Sequence, residues 1–323
     1  MSGSVRRSRD VPMLVKRARE GDPRAVARLI TLVESGDETV PRIAAELAPY
    51  AGTARIIGLT GSPGVGKSTT TNELVRAMRA QGHRVGVLAI DPSSPFSGGA
   101  ILGDRVRMQD HATDPGVFIR SMSNRGHLGG LAAATPQAVR VLEGAGCDIV
   151  LVETVGVGQA EVEIASLADT TLVLLAPGMG DSIQAVKAGI LEIADVFVVN
   201  KADRDGANAT YHDIQNMIAL RERAPGEWRP QVVRAVAARG EGIDDIVAAI
   251  EKHHRWMVER GELRRRRLAR AAAEIEAIAL GAVRARMGSL RSGVTLDRLA
   301  QRVADGEIDP YTAADEVLAQ LNR

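Results

Sequence analysis

A near-continuous apolar run, Ile56-Ile57-Gly58-Leu59-Thr60, leads straight into Gly61-Ser62-Pro63-Gly64-Val65-Gly66-Lys67-Ser68-Thr69, and helix-compatible sequence follows to Arg79. Strand, glycine-rich loop and helix in that order commit the chain to a βα unit of the P-loop type. Glycines let consecutive backbone N–H groups turn inward on phosphate oxygens, and the new helix points its positive end at them. Lys67 then reaches the β- and γ-phosphates, and the Ser68 hydroxyl can take a place on Mg²⁺. The competing reading is a glycine turn that happens to precede a Lys-Ser pair. The full set of fixed positions, flanked on both sides as required, argues against it. A nucleoside triphosphate is the expected ligand.

The base is specified farther along. Val196-Phe197-Val198-Val199 reads as a buried strand, with Asn200-Lys201-Ala202-Asp203 at its C-terminal end. A carboxylate there accepts from both the N1–H and the exocyclic amine of guanine. Adenine presents the reverse edge and would leave Asp203 facing an acceptor, a buried mismatch. Asn200 and the stem of Lys201 would brace the loop and cover the base. Alone, this short string is a weak signal; behind a P-loop and at a strand end it favours GTP over ATP.

Seven strand candidates span Ile56–Thr60, Val85–Ile90, Val117–Arg120, Ile149–Glu153, Thr171–Leu175, Val196–Asn200 and Val232–Val236. Most are continuous apolar runs, as strands covered on both faces look, and helical stretches separate them. The expected fold class is α/β, a doubly wound, largely parallel sheet with ligands at the strands' C-terminal ends. Before it, Asp22-Pro23 caps a helix with Val26, Leu29, Ile30 and Val33 on one face, and Glu38 to Ala48 offers another. After Gly242 the chain reads as helix to its end. Three parts are expected: an N-terminal helical extension (1–54), a nucleotide domain (55–260) and a C-terminal helical arm (261–323). The arm carries Leu268, Ala271, Ala272, Ile275, Ile278, Ala279, Ala282 and Val283 on one stripe. With the strands used up, a second copy of the chain is the favoured cover, making a homodimer.

A net charge of +1 and 2% aromatic residues offer neither the field nor the stacking platforms of a nucleic-acid binder. Arg264 to Arg267 therefore reads as a solvated face or an acidic-partner contact, and His253-His254 as surface. The lone Cys147 is expected buried and cannot form an internal disulfide, which suits a reducing cytoplasm. No apolar run approaches the roughly 18 residues of a membrane span, and no signal peptide is evident.

Further strand-end segments bring candidate chemistry. Asp91 opens a loop rich in small residues, proline and glycine that runs to Asp104. Both are candidate Mg²⁺ or water-positioning carboxylates; the alternatives are a helix N-cap for Asp91 and surface charge for Asp104. Glu153 ends another strand where P-loop proteins often place an aspartate for the metal. Being longer by one methylene, it suits a water-mediated contact. Gly156 lets a backbone N–H approach the γ-phosphate. Lys67, Asp91, Asp104 and Glu153 are thus the candidate catalytic groups, with Ser68, Asp91, Asp104 and Glu153 the candidate metal set. No glutamine follows Gly156 directly and Gln159 lies farther on, so no water-orienting residue is assigned. Slow hydrolysis of GTP to GDP, completed by a partner, is the expectation. Asp181, Gln184 and Lys187 lie after Pro177-Gly178-Met179-Gly180, a glycine-flanked loop that is either an N-cap or a further switch.

Taken together, GSPGVGKST, DPSSPFSGGAILGDRVRM, ETVGVGQAE, APGMGDSIQAVKAGILEIAD and NKAD resemble the MeaB/ArgK-type GTPases, chaperones of methylmalonyl-CoA mutase in the SIMIBI class. The resemblance covers nearly the whole chain. It implies a dimerisation arm, GTP-gated loading and protection of adenosylcobalamin in the mutase, and a signal-carrying switch at Asp181, Gln184 and Lys187. That family often has Ser-Ala in the loop after the last strand. Here Val236-Ala237 stands there, so backbone N–H groups of Val236, Ala237 and Ala238 are left to meet guanine O6. Two other functions compete: a nucleotide-dependent kinase of transport proteins, for which no acceptor-site base is evident, and a metallochaperone GTPase. One cysteine and six histidines argue against the latter.

Overall fold

Seven strands form where the apolar runs predict them: β1 (Arg55–Thr60), β2 (Val85–Pro92), β3 (Val117–Asn124), β4 (Ile149–Thr154), β5 (Thr170–Leu175), β6 (Val196–Val199) and β7 (Gln231–Arg234). The computed structural model describes residues 10–92, 109–111, 113–124, 134–154, 160–178, 190–291 and 294–321. The strands form one sheet in the order β3-β2-β4-β1-β5-β6-β7, and every pairing is parallel. The first strand thus lies in the middle, so the loop after it opens between β4 and β5. β7 ends two residues short of the expected Val236, because Val236 N turns to donate to Glu241 O at 2.9 Å.

Alternation along these strands sends residues to two cores, which is why the runs are apolar throughout. Ile57, Leu59, Val87 and Leu151 pack on one face with Leu74, Val75 and Met78 of α4 (Lys67–Ala80) and Ile246 and Ile250 of α9 (Ile243–Glu259). Ile56, Leu88, Val150 and Val152 face the other way. They share a core with α5 (Thr135–Gly144), α6 (Ala160–Leu167) and the N-terminal helices α1 (Val11–Arg19), α2 (Pro23–Glu34) and α3 (Val40–Leu47). Asp22 caps α2, accepting from Arg24 N at 2.9 Å and Ala25 N at 3.4 Å ahead of Pro23. Arg120 on β3 reaches Glu34 at 2.6 Å, tying α2 to the sheet edge. A short α7 (Ile190–Ile193) precedes β6, and α8 (Ala207–Leu220) covers Val173, Leu175 and Phe197 with Ile214 and Ile218. Cys147 is buried as expected, and burial pushes its thiol up to about 12.

Two compact units result, Met1–Arg266 and Arg267–Arg323. The long α10 (Glu262–Arg291) begins in the first and continues into the second. In the second unit, Leu268, Ile275, Ile278, Leu280 and Val283 are exposed on α10. Also there, α11 (Val294–Ala304) and α12 (Pro310–Leu321) bury Leu299 and Val317, and Arg302 meets Glu316 at 3.2 Å.

Two surface expectations are corrected at the sheet's N-terminal end. Arg266 is no solvated member of its arginine run. It pairs in bidentate fashion with the buried Asp195, both contacts at 2.9 Å, and also donates to Asp169 O at 3.0 Å. Asp195 further accepts from Thr171 N at 2.8 Å. His253 is wholly buried, with Nδ1 2.9 Å from Thr170 Oγ1 and its ring in a three-ring cluster with Trp228 and Trp256, which also touch each other. Its Nε2 lies 3.2 Å from Asp195 Oδ1, but at an angle too poor for a hydrogen bond. Burial therefore outweighs the attraction of Asp195 and pushes His253 down to about 4. The apolar periodicity of α9 could have placed His253 inside, since Ile246, Ile250 and Met257 share its face.

A base held neutral by the fold stabilises it above its unfolded pKa of 6.5, and that contribution is lost as pH falls from about 6.5 through about 4. Urea unfolding followed by tryptophan fluorescence should lose on the order of 3 kcal/mol across that window beyond what His253→Leu loses. Parallel pH profiles for the two proteins would show that His253 is not held neutral.

Candidate functional site

The described parts of the site hang from the C-terminal ends of β1, β4, β6 and β7. The loop after β1 turns through Gly61 (φ +139°), Gly64 (φ +80°) and Gly66 (φ +98°) before α4 begins at Lys67. A Cβ on Gly61 would collide with Leu174 O of β5, so only glycine lets the loop lie so close to its neighbour. Lys67 is buried, and its Nζ donates to Gly61 O at 2.7 Å and Ser62 O at 3.0 Å. The ammonium is thereby held across the loop that it closes. Val65 is fully buried beneath the turn, whereas Ser62, Pro63 and Gly64 stay accessible.

At the second residue of α4, Ser68 Oγ donates to Glu153 Oε1 at 2.6 Å. Glu153 is buried at the end of β4, in register with Leu59 of β1. Thr71 Oγ1 lies 3.0 Å from Glu153 Oε2 and the same distance from Lys67 O, so its one proton serves either. Sequence reasoning missed Thr71. The signal was its spacing, three residues after Ser68 on the same helical face. A hydroxyl beside a carboxylate, all oxygen, is the donor set that a hard divalent cation takes. The set would fit Mg²⁺, which Ser68 and Glu153 would hold.

The loop after β6 is joined to the P-loop by Asn200. Its Nδ2 donates to Val65 O at 2.8 Å, and its Oδ1 accepts from Ala237 N at 3.0 Å. A Cβ on Gly66 would collide with that Nδ2. Lys201, at φ +56°, reaches Gly64 O at 2.7 Å, so its stem lies along the mouth of the loop. Ala202 N donates to Ala235 O at 3.0 Å, and Asp203 stands half-exposed at the outer end. The expectation for the last loop is narrowed. Val236 N and Ala237 N already serve Glu241 O and Asn200 Oδ1, so of the three only Ala238 keeps a backbone donor to offer guanine O6. A groove of about 610 Å³ runs beside β7 past Asp203 and Tyr211, and no residue of the P-loop lines it.

Of the remaining candidates, Asp91 is placed by backbone alone at the end of β2, opposite Ser123. Its side chain, and Asp104, Gly156, Asp181, Gln184 and Lys187 entirely, lie outside the described residues.

A central P-loop strand in an all-parallel sheet, with the Asn200–Asp203 loop two strands away, gives the chain the architecture of a P-loop GTPase. The chain belongs to the family described as methylmalonyl-CoA mutase-associated GTPase MeaB, whose sequence model matches residues 26–291. A protein of Pyrococcus abyssi, provisionally named a GTPase, is 48% identical over 311 residues, 95% of this chain and 96% of its own. The GTPase ArgK of Escherichia coli is 39% identical over 243 residues, 73% of each chain. The crystal structure of an LAO/AO transport system kinase superposes with a TM-score of 0.71 at 27% identity, covering 97% of this chain and 98% of the other. Among the described residues, no helix is long and apolar enough to cross a membrane.

Asn200→Ala would leave Val65 O and the buried Ala237 N without their shared partner. Thermal unfolding should register a loss of about 2–3 kcal/mol, and GDP affinity should fall with it. Unchanged melting and affinity together would mean that the two loops hold their positions without this side chain.

Proposed function

We propose that this GTPase is a chaperone of methylmalonyl-CoA mutase, with its nucleotide state gating the loading and protection of adenosylcobalamin. The observation that carries the reading is the reach of the family match. It spans all the candidate nucleotide-site residues and the whole of the long C-terminal helix, not the P-loop alone. A mouse mitochondrial homologue of methylmalonic aciduria type A, 41% identical over 214 residues (65% of this chain and 52% of its own), supports it.

In this reading the backbone N–H groups from Gly61 to Thr69 cradle the phosphates, and the positive end of α4 faces them. Lys67 leaves its loop carbonyls for the β- and γ-phosphate oxygens, where its charge offsets that developing in transfer. Ser68 and Glu153 would hold Mg²⁺, with Asp91 and Asp104 as further carboxylates, and the ion would supply charge neutralisation to the phosphates. Gly156 brings a backbone N–H to the γ-phosphate, and Asp203 reads the guanine edge. Asp181, Gln184 and Lys187 form the switch through which the mutase is sensed. Chain copies pair through the exposed Leu268, Ile275 and Ile278 stripe, because water-exposed apolar residues along one long helix gain most by covering each other.

GTP turnover by the purified protein should rise at least about tenfold with the mutase present. Light scattering should give about twice the chain mass of 34.3 kDa. Absence of both stimulation and complex would sink the chaperone reading, and label passing from the γ-phosphate to a transport protein would replace it with a kinase. Asp203→Asn should exchange GTP preference for xanthosine triphosphate, since an amide can donate where xanthine offers a carbonyl. Retention of the wild-type GTP margin would remove Asp203 from base reading.

A further inference from the structure

The outer end of the base loop carries a charge that no phosphate or base motif demands. Arg239 Nη1 lies 3.6 Å from Asp203 Oδ2, an ion-pair contact too long for a hydrogen bond. Glu241 sets the direction of that guanidinium. Arg239 Nε lies 2.8 Å from Glu241 Oε1, and Nη2 lies 3.3 Å from Oε2. This side-on grip occupies the Nε/Nη2 edge and leaves Nη1 turned towards Asp203.

The backbone keeps Arg239 and Glu241 in that relation. Val236 N donates to Glu241 O at 2.9 Å, closing the neck of the loop between β7 and α9. Arg239 N donates to Val236 O at 2.8 Å, and Gly240, at φ +72°, turns the chain between the two side chains. Gly242, at φ +76°, completes the turn where a Cβ would collide with Arg234 O. The same loop is stitched to the base loop by Asn200 Oδ1 with Ala237 N and by Ala202 N with Ala235 O. Asp203 with Arg239 is the outermost of these links. It differs from the others in leaving the hydrogen-bonding capacity of its acceptor unspent.

We propose that Arg239, oriented by Glu241, is a positioning residue for base recognition that holds the Asp203 carboxylate against rotation and so sharpens the preference for guanine. The inference rests on Asp203 being the guanine-reading carboxylate. Guanine needs both carboxylate oxygens in the plane of its N1–H and 2-amino group. A carboxylate free to turn keeps one bond and loses the second. The 2-amino group is therefore where Arg239 makes its contribution, although it touches neither base nor phosphate.

Steady-state hydrolysis of GTP and of inosine triphosphate, which keeps N1–H but lacks the 2-amino group, isolates this effect. For Arg239→Ala, KM for GTP should rise about three- to fivefold, the range of an exposed ion pair, with kcat at saturation within about twofold. KM for inosine triphosphate should move less, so the preference narrows. Glu241→Gln, which loosens the grip on Arg239, should act in the same direction and less strongly. An unchanged preference overturns the inference, and so does a lower KM for GTP, which would make Arg239 a competitor of the base. Asp203→Asn run alongside separates the two levels. If that variant turns to xanthosine triphosphate while Arg239→Ala keeps the wild-type preference, the role of Arg239 fails alone. If Asp203→Asn still prefers GTP, the guanine reading falls and takes Arg239 with it.

Discussion

The nucleotide site depends on the two hydrogen bonds of Asn200. One side chain fixes Val65 O of the P-loop and Ala237 N of the loop after β7, both buried. The P-loop and the loops after β6 and β7 are thereby held in one relation, an arrangement of the kind that reduces the ordering cost of binding. The bond also dictates local sequence. Gly66 has no room for a Cβ beside Nδ2, and its φ of +98° excludes other residues anyway.

The sheet separates two kinds of polar work by its two ends. At the C-terminal end, carboxylates and hydroxyls gather beside the loops: Glu153 meets Ser68 and Thr71, and Asp203 stands half-exposed. At the N-terminal end, charge is consumed inside the fold. Asp195 takes the Arg266 fork and the Thr171 amide, and Trp228 Nε1 donates to Asp195 O at 2.8 Å. That cluster secures the first turn of α10 to the first unit. Removing one partner there would strand the other, whereas the pair itself contributes little beyond an apolar substitute. Its importance is geometric, because it sets where the long helix starts.

Much of this was legible in the chain. The seven apolar runs, the position of the P-loop and the capped N-terminal helix were readable because burial on both faces, glycine turns and Asp-Pro caps each leave a local mark. The nucleotide cradle from Gly61 to Thr69 and the Asn200–Asp203 loop stood out for the same reason. Arg266 and His253 were misjudged as surface because their surroundings come from Asp195, Thr170 and two tryptophans distant in sequence. Thr71 went unremarked although it follows Ser68 by three residues on one helical face, and Arg239 because it belongs to no spacing pattern. Their roles come from Glu153 on another strand and from a loop closed by a single backbone hydrogen bond.

The sequence by itself determined the layered parallel architecture, the triphosphate loop and the family, since these rest on periodicity, glycine placement and contiguous motifs. Only the tertiary structure decided the order that puts β1 between β4 and β5, and with it the meeting of Ser68 and Glu153 across 85 residues of chain. It also decided that Val236 N and Ala237 N are taken up within the fold, and that Arg266 near the start of α10 is held by Asp195. Strand order and long-range pairing follow from how whole surfaces fit together, and no local stretch of chain carries that information.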